Sequence, residues 1–169
     1  MKEGPNGPFF IHETMSVRTI LDEFLPELLK EHQLELIELH IPAEHRIEIF
    51  VDGESNVSIE QCAQIMRELR GRTAEALDSF QITVSSPGLD KPLRHPLQFK
   101  KALNKSIEVL MNGGEKHQGV LLEYSPELLR LHLFKASKNK SGAKPPLSEQ
   151  VLDLPNAEIK KVSKLIFFS

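Results

Sequence analysis

Lys91, Arg94, Lys100, Lys101 and Lys105 fall within fifteen residues, and Lys135, Lys138, Lys140 and Lys144 form a second group further on. Across residues 91–144 there are 11 Lys/Arg against 4 Asp/Glu. Cations gathered in this way can neutralise phosphate, and the counter-ions they displace make such binding weaken steeply with salt. Lys100, Lys101 and Lys105 lie near a predicted short helix, where residues 101 and 105 share a face at the i, i+4 spacing. Like charges on one face cost a little stability, which points to an external anion. Ordinary solubilising lysines explain the same residues without any ligand. The loop from Lys135 to Ser148 is basic, rich in Gly, Pro and Ser, and without hydrophobic periodicity. It reads first as a loose hairpin tip, and such a tip can still order on RNA.

Covalent and metal chemistry find no matching pattern, so no catalytic residue, metal or cofactor is expected. The chain has no G-x-x-x-x-G-K-[ST] or G-x-G-x-x-G phosphate loop and no G-x-S-x-G elbow. Ser85 and Ser86 have His95 nearby in sequence, but a hydroxyl beside a turn proline is far more often a capping group than a nucleophile. The seven histidines show no H-E-x-x-H spacing. The one cysteine, Cys62, excludes both a zinc ribbon and a disulfide within the chain. Cys62 sits among apolar residues on a helical face and reads as inert core. His40 and His45 are placed to face each other across a hairpin as a surface pair. The acidic half holds no D-x-D-x-D-G calcium loop. With no Trp and a single Tyr, a platform stacking several bases is also disfavoured.

The elements that must position these residues follow from composition and periodicity. A chain of 169 residues, 40% apolar and 27% charged, is globular and long enough for one domain or two small ones. Residues 1–84 hold 7 Lys/Arg and 16 Asp/Glu, whereas residues 85–169 hold 14 and 8. An acidic half joined to a basic half suits one protein-facing and one phosphate-facing surface, although clustered solvated charge gives the same asymmetry. No apolar run approaches the roughly 18 residues that span a bilayer. The first residues lack an apolar signal core. With one cysteine, a reducing, cytoplasmic setting is the expectation.

Residues 1–12 carry Gly4, Pro5, Gly7 and Pro8 and read as a flexible tail. Val17, Ile20, Leu21, Phe24, Leu25, Leu28 and Leu29 recur at steps of three and four, which predicts a helix capped by Thr14 or Ser16 and kinked at Pro26. Leu34–Ile41 and Arg46–Val51 read as an antiparallel hairpin. Ser58 with Gln61 forms a capping box for a second helix, which Gly71 stops unless Thr73–Leu77 extends it. A strand over Phe80–Ser85 completes an α-β-β-α-β order, an α+β domain of KH-like size. Then Pro87, Gly88 and Pro92 make a stiff connector, with positive φ expected at Gly88 and Asp90 holding the turn through local backbone N–H groups.

Beyond the connector, Leu97–Leu103 reads as a short helix. Ser106–Met111, His117–Tyr124, Leu128–Phe134, Val151–Leu154 and Ile159–Ile166 read as strands, with a bulge or sharp bend at Gly119. Five short strands suggest a small closed or half-closed barrel, and periodicity does not separate Sm-like from SH3-like. The boundaries expected are a tail over 1–12, an α/β domain over 13–86, a junction over 87–96 and an all-β domain over 97–169.

Val84-Ser85-Ser86-Pro87-Gly88-Leu89-Asp90-Lys91-Pro92-Leu93 resembles the V-S-S-P-G-L-D-R-P-L junction signature of the RimP family of bacterial ribosome maturation factors, departing only at Lys91. A bidentate contact made by Arg would be lost with Lys there. Ile47–Asp52, Val57–Cys62, Gln118–Leu121 and Ala157–Val162 are also similar to family elements. Arg72–Ser79 is short and Lys135–Ser148 long by comparison. The resemblance implies an Sm-like barrel after the α/β domain. It also implies a non-enzymatic, monomeric role in late assembly of the small ribosomal subunit, with contacts to rRNA and to a decoding-side ribosomal protein and none to membrane. The competing function is an autonomous Sm-like module that forms rings on free RNA.

Overall fold

The computed structural model describes residues 16–43, 45–136 and 142–167. The expected tail over 1–12, the alternative cap Thr14, and Lys138 and Lys140 lie outside the described residues. The chain divides into two compact units, residues 1–87 and 88–169.

The first unit runs α1 (Val17–Glu31), β1 (Leu34–His40), β2 (Arg46–Gly53), α2 (Ile59–Thr73), a 3-10 turn (Ala74–Leu77) and β3 (Gln81–Ser85). Ser16 caps α1 by accepting from the Thr19 N–H, as its short hydroxyl favours. The helix continues through Pro26, because that residue is exposed and the buried stripe of Ile20, Leu21, Leu25, Leu28 and Leu29 holds the phase on both sides. Strand order is β1-β2-β3. β1 and β2 pair antiparallel from Leu34↔Gly53 to His40↔Glu48, with a bulge between Leu36 and Glu38. β2 and β3 pair parallel from Arg46↔Gln81 to Phe50↔Ser85, so α2 is the crossover a parallel pair requires. The central strand β2 buries Ile47, Ile49 and Val51 completely, and they meet Leu21, Leu28, Ile65 and Leu69 of the two helices in one core.

The Ser58–Gln61 capping box is present in both directions. Gly71 does not stop α2. The helix ends two residues later, where Ala74 adopts φ 48 and the chain tightens into the 3-10 turn. Arg70 then donates to the carbonyls of Leu77 (3.2 Å) and Phe80 (2.9 Å), tying the turn to the start of β3.

The second unit runs α3 (Pro96–Ala102), β4 (Ser106–Met111), β5 (Lys116–Tyr124), β6 (Leu128–Phe134), β7 (Leu147–Pro155), a 3-10 turn (Asn156–Glu158) and β8 (Ile159–Lys164). All pairs are antiparallel in the order β7-β6-β5-β4-β8. β7 begins at Leu147, four residues before the expected start at Val151. Phe99, Ile107, Val109, Leu121, Leu129 and Leu131 form the centre of its core.

Of the closed or half-closed barrel expected, the closed form is not made. Among the described residues no ladder joins the edge strands β7 and β8. Yet these two are consecutive in sequence and are joined only by the turn Asn156–Glu158. A flat five-stranded sheet would separate its edges by about 19 Å at ~4.8 Å per strand. Four residue steps reach at most about 14 Å. The sheet therefore curls strongly without closing.

Gly88 corrects a second expectation. Its φ is not positive, and the Lys91 N–H donates to the Gly88 carbonyl at 3.1 Å to close the turn. A Cβ at Gly88 would meet only the movable Asp90 carboxylate, at 2.6 Å. Gly119 is not the bulge, which lies between Leu121 and Glu123. It is instead a point of close backbone approach, where a Cβ would sit 2.1 Å from the His132 carbonyl oxygen.

Candidate functional site

The junction motif is divided between the two units, with Val84–Pro87 in the first and Gly88–Leu93 in the second. Val84 and Ser85 close β3, while Ser86, Gly88, Leu89, Asp90 and Lys91 are exposed and Pro87 and Pro92 half-buried. Leu93 anchors the second part. Its side chain joins the β-sheet core, and its N–H donates to the Val162 carbonyl at 2.8 Å.

Two further residues fix the start of α3, and sequence reasoning did not find them. The His95 ring nitrogen Nδ1 accepts from the Leu97 N–H (3.2 Å). The buried Gln98 Oε1 accepts from the Arg94 N–H (2.8 Å) and the His95 N–H (2.9 Å). Pro96, which has no N–H to satisfy, occupies the first turn. The signal was legible: a polar residue, Pro, and Gln three positions on repeat the capping-box spacing.

The candidate cations fall into two sets. Lys91, Arg94 and Lys100 are exposed and Lys101 is half-buried, and each already interacts within the chain. Lys100 and Lys101 share the last turn of α3. Lys105 does not extend that face. The helix ends at Ala102, because Leu103 leaves helical geometry and Asn104 adopts φ 65, so the i, i+4 argument for 101 and 105 fails. In the second set, Lys135 and Lys144 flank the base of the β6–β7 loop, where the Lys135 N–H donates to the Pro146 carbonyl at 2.9 Å. The Lys144 ammonium lies 5.9 Å from the centre of the Phe134 ring, within cation–π range.

Elsewhere the titratable groups serve packing. Among the described residues no group of three or more His, Cys, Asp or Glu is placed to hold a metal ion. His40 does not face His45. It sits opposite Glu48 in the β1–β2 register, with 3.1 Å between Nδ1 and Oε2. His45, at φ 62, instead lies against the Phe80 ring. His32 lies 3.1 Å from Glu68 and links the end of α1 to α2, and that hydrogen bond is the main cause holding the Glu68 carboxyl below its usual range. Burial pushes the Cys62 thiol up, away from the reactive thiolate.

On the outer face of the β-sheet, Arg130 reaches across two neighbouring strands. It binds Asp153 through both carboxylate oxygens (2.8 and 3.2 Å) and Glu123 through one (2.8 Å). The Arg130 hydrogen bonds hold the Asp153 carboxyl below its ordinary value. A depressed carboxylate contributes stability that is present above the unfolded-state pKa, near 3.9, and is lost as pH falls through the folded value. Arg130→Ala should therefore lower the urea midpoint at neutral pH, and the difference from the parent should vanish in strong acid. A gap that persists in strong acid would assign the effect to lost packing of the arginine stem.

A family model described as the RimP N-terminal domain matches residues 24–90. A protein of Porphyromonas gingivalis named ribosome maturation factor RimP is 26% identical to this chain over 131 residues, covering 78% of this chain and 86% of that protein. Its counterpart from a second strain is 25% identical with the same coverage.

Proposed function

Because the chain belongs to the RimP family, we propose that it acts in ribosome maturation, as a non-enzymatic factor assisting late assembly of the small ribosomal subunit in the bacterial cytoplasm. The observation that carries the reading is the match to curated ribosome maturation factors over 78% of the chain. In this reading the basic second unit meets rRNA phosphate, and the acidic first unit meets a basic, decoding-side ribosomal protein. Complementary charge there favours on-rate and specificity. The factor works as a monomer and needs no cofactor. The first unit is read as KH-like in size. The second is read as an Sm-like small barrel, supported by the short helix, the five antiparallel strands and the strong curl that the β7–β8 turn imposes.

In sucrose gradients the protein should travel with free small subunits and not with complete ribosomes. Equal abundance in every fraction would overturn the proposal. The ring-forming alternative draws on the unpaired outer edge of β7 among the described residues, through which copies could join sheets. Sedimentation equilibrium separates the two, since a monomer has a mass of 19.1 kDa and a ring several times that.

The phosphate contacts carry their own test. Lys100 and Lys101 already interact within the chain, whereas among the described residues Lys105 is held through its backbone, by Ala102 and Leu121, and its exposed ammonium is in no ion pair. Replacing Lys100, Lys101 and Lys105 together should then flatten the log K against log[salt] slope for rRNA fragments by about 0.7–0.9, the share of a single lysine. Flattening by three times that amount would show that all three lysines reach phosphate. No change would move the contact to Lys135 and Lys144, with Lys138 and Lys140 beside them in sequence.

A further inference from the structure

One cleft of about 200 Å³ in the second unit combines stacked aromatic rings with basic side chains. Its floor is the Phe99–Tyr124 pair, with centroids 4.0 Å apart and planes within 4° of parallel. Phe99 is 6% exposed and forms the inner ring, while the half-buried Tyr124 forms the outer one. Around them stand Arg94, Lys160 and Lys161, and no Asp or Glu lines the cleft. Arg94 already interacts within the chain, so the charge argument rests on the two lysines. Both are exposed on β8, and none of the ion pairs among the described residues involves either.

The wall is fixed before any ligand arrives. Asn156 donates from Nδ2 to the Ser125 carbonyl (2.6 Å), and its backbone N–H donates to the Glu127 carbonyl (2.9 Å). These bonds lock the β7–β8 turn to the β5–β6 turn, and the Leu93–Val162 bond holds the opposite side. The cleft is smaller than the ~300–1,000 Å³ of pockets for drug-sized ligands. It has room for one planar group, a π-face to meet it, and two ammonium groups for an adjoining anion. That set of features belongs to a nucleotide.

We propose that this cleft takes one unpaired nucleotide of an RNA strand, its base against the Tyr124–Phe99 stack and its phosphate against Lys160 and Lys161. The proposal rests on the ribosome-maturation reading and supplies the kind of RNA feature it would recognise: a single splayed base, not a duplex. One aromatic stack suffices for one base, in keeping with the scarcity of aromatic residues in the chain.

The sequence supplies its own reporter, because Tyr124 is the only tyrosine and there is no tryptophan. Titrating the full chain with a labelled single-stranded oligonucleotide should quench tyrosine emission in step with the rise in label anisotropy. Emission is corrected against a free tyrosine amide. Lys160→Ala with Lys161→Ala should flatten the salt slope of binding by about 0.7, the share of the one single-strand phosphate they hold, without shifting the melting temperature. Tyr124→Leu, followed by anisotropy, should weaken binding about tenfold or more. Tyr124→Phe, which keeps the stack, should leave it within twofold and guards against a loss caused by misfolding.

Rising anisotropy with unchanged emission would overturn the cleft as the site while leaving RNA binding in place. No response in either signal would overturn the inference and leave the maturation role to the gradient experiment. Equal quenching by polyglutamate would give the cleft to an acidic peptide. Equal quenching by a mononucleotide at the same concentration would give it to a free nucleotide. Either result would overturn the RNA assignment.

Discussion

Gly119→Ala is expected to destabilise the second unit by about 3 kcal/mol, which for a unit of 82 residues lowers its melting temperature by roughly 12–24 °C. The added Cβ would sit 2.1 Å from the His132 carbonyl oxygen, 2.8 Å from its carbon and 3.0 Å from the Leu133 Cα. All three are backbone atoms of the paired strand β6, so no side chain can swing away to make room. Relief requires β5 and β6 to separate at the Gly119↔Leu133 pair, in the middle of the sheet. Gly113→Ala is the matched control. A Cβ there meets nothing within 4 Å and needs no positive φ, so its effect should stay within about 0.5 kcal/mol. Equal melting temperatures for the two variants would show that β6 retreats at little cost.

Leu131→Ala is the second large effect, with an expected loss of about 3 kcal/mol within the 2–5 kcal/mol range of such truncations. Leu131 is wholly buried on β6, between Leu121 of β5 and Leu152 of β7 in the register, so a cavity there is walled by strands that cannot easily collapse. The urea midpoint should fall while the m-value stays constant. Leu131→Met, which keeps the volume, should lose less than about 1.5 kcal/mol. If the methionine variant suffers as much as the alanine one, shape at this position matters and cavity volume does not.

Local pattern made the elements readable. The stripe from Val17 to Leu29, the Ser58–Gln61 box and the alternation of Ile47, Ile49 and Val51 all survive in the folded chain, because each is a spacing written within one short segment, whatever that segment later packs against. Partner choice was not readable in the same way. Nothing in Gln81–Ser85 states that it lies parallel to β2, since a strand's alternation marks its buried face and not its neighbour. The open curl of the second unit was equally hidden, for it follows from the three-residue turn between edge strands, a distance constraint and not a periodicity. The glycines misled in an instructive way. Gly88 beside Pro87 suggests positive φ, whereas its freedom is spent on a turn without it. Gly119 suggests a bulge, whereas it is small because the next strand's backbone needs the space.

Of the candidate site, the basic groups were visible as charge. That Lys91, Arg94, Lys100 and Lys101 interact within the chain was not, because such contacts depend on tertiary proximity. Lys160 and Lys161 escaped notice for the opposite reason. Two lysines beside Glu158 look like ordinary surface charge until Tyr124 and Phe99, some forty to sixty residues earlier, are folded against them.

The parallel pairing of β2 with β3 also sets a clock for synthesis. The β1–β2 hairpin can close as soon as Gly53 emerges, but β2 has no second neighbour until Ser85 has emerged as well. At about 5–20 residues per second that interval lasts roughly 2–6 s. During it one edge of the most deeply buried strand in the first unit stays open. The second unit waits in the same manner, since Ile107 of β4 must find Lys164 of β8. In each unit, then, the nascent chain carries an unfinished sheet whose missing strand comes last from the tunnel. A translation complex stalled with Gly53 outside the tunnel and Ser85 still inside it is where this protein would be most exposed to mispairing with its own copies on a shared message.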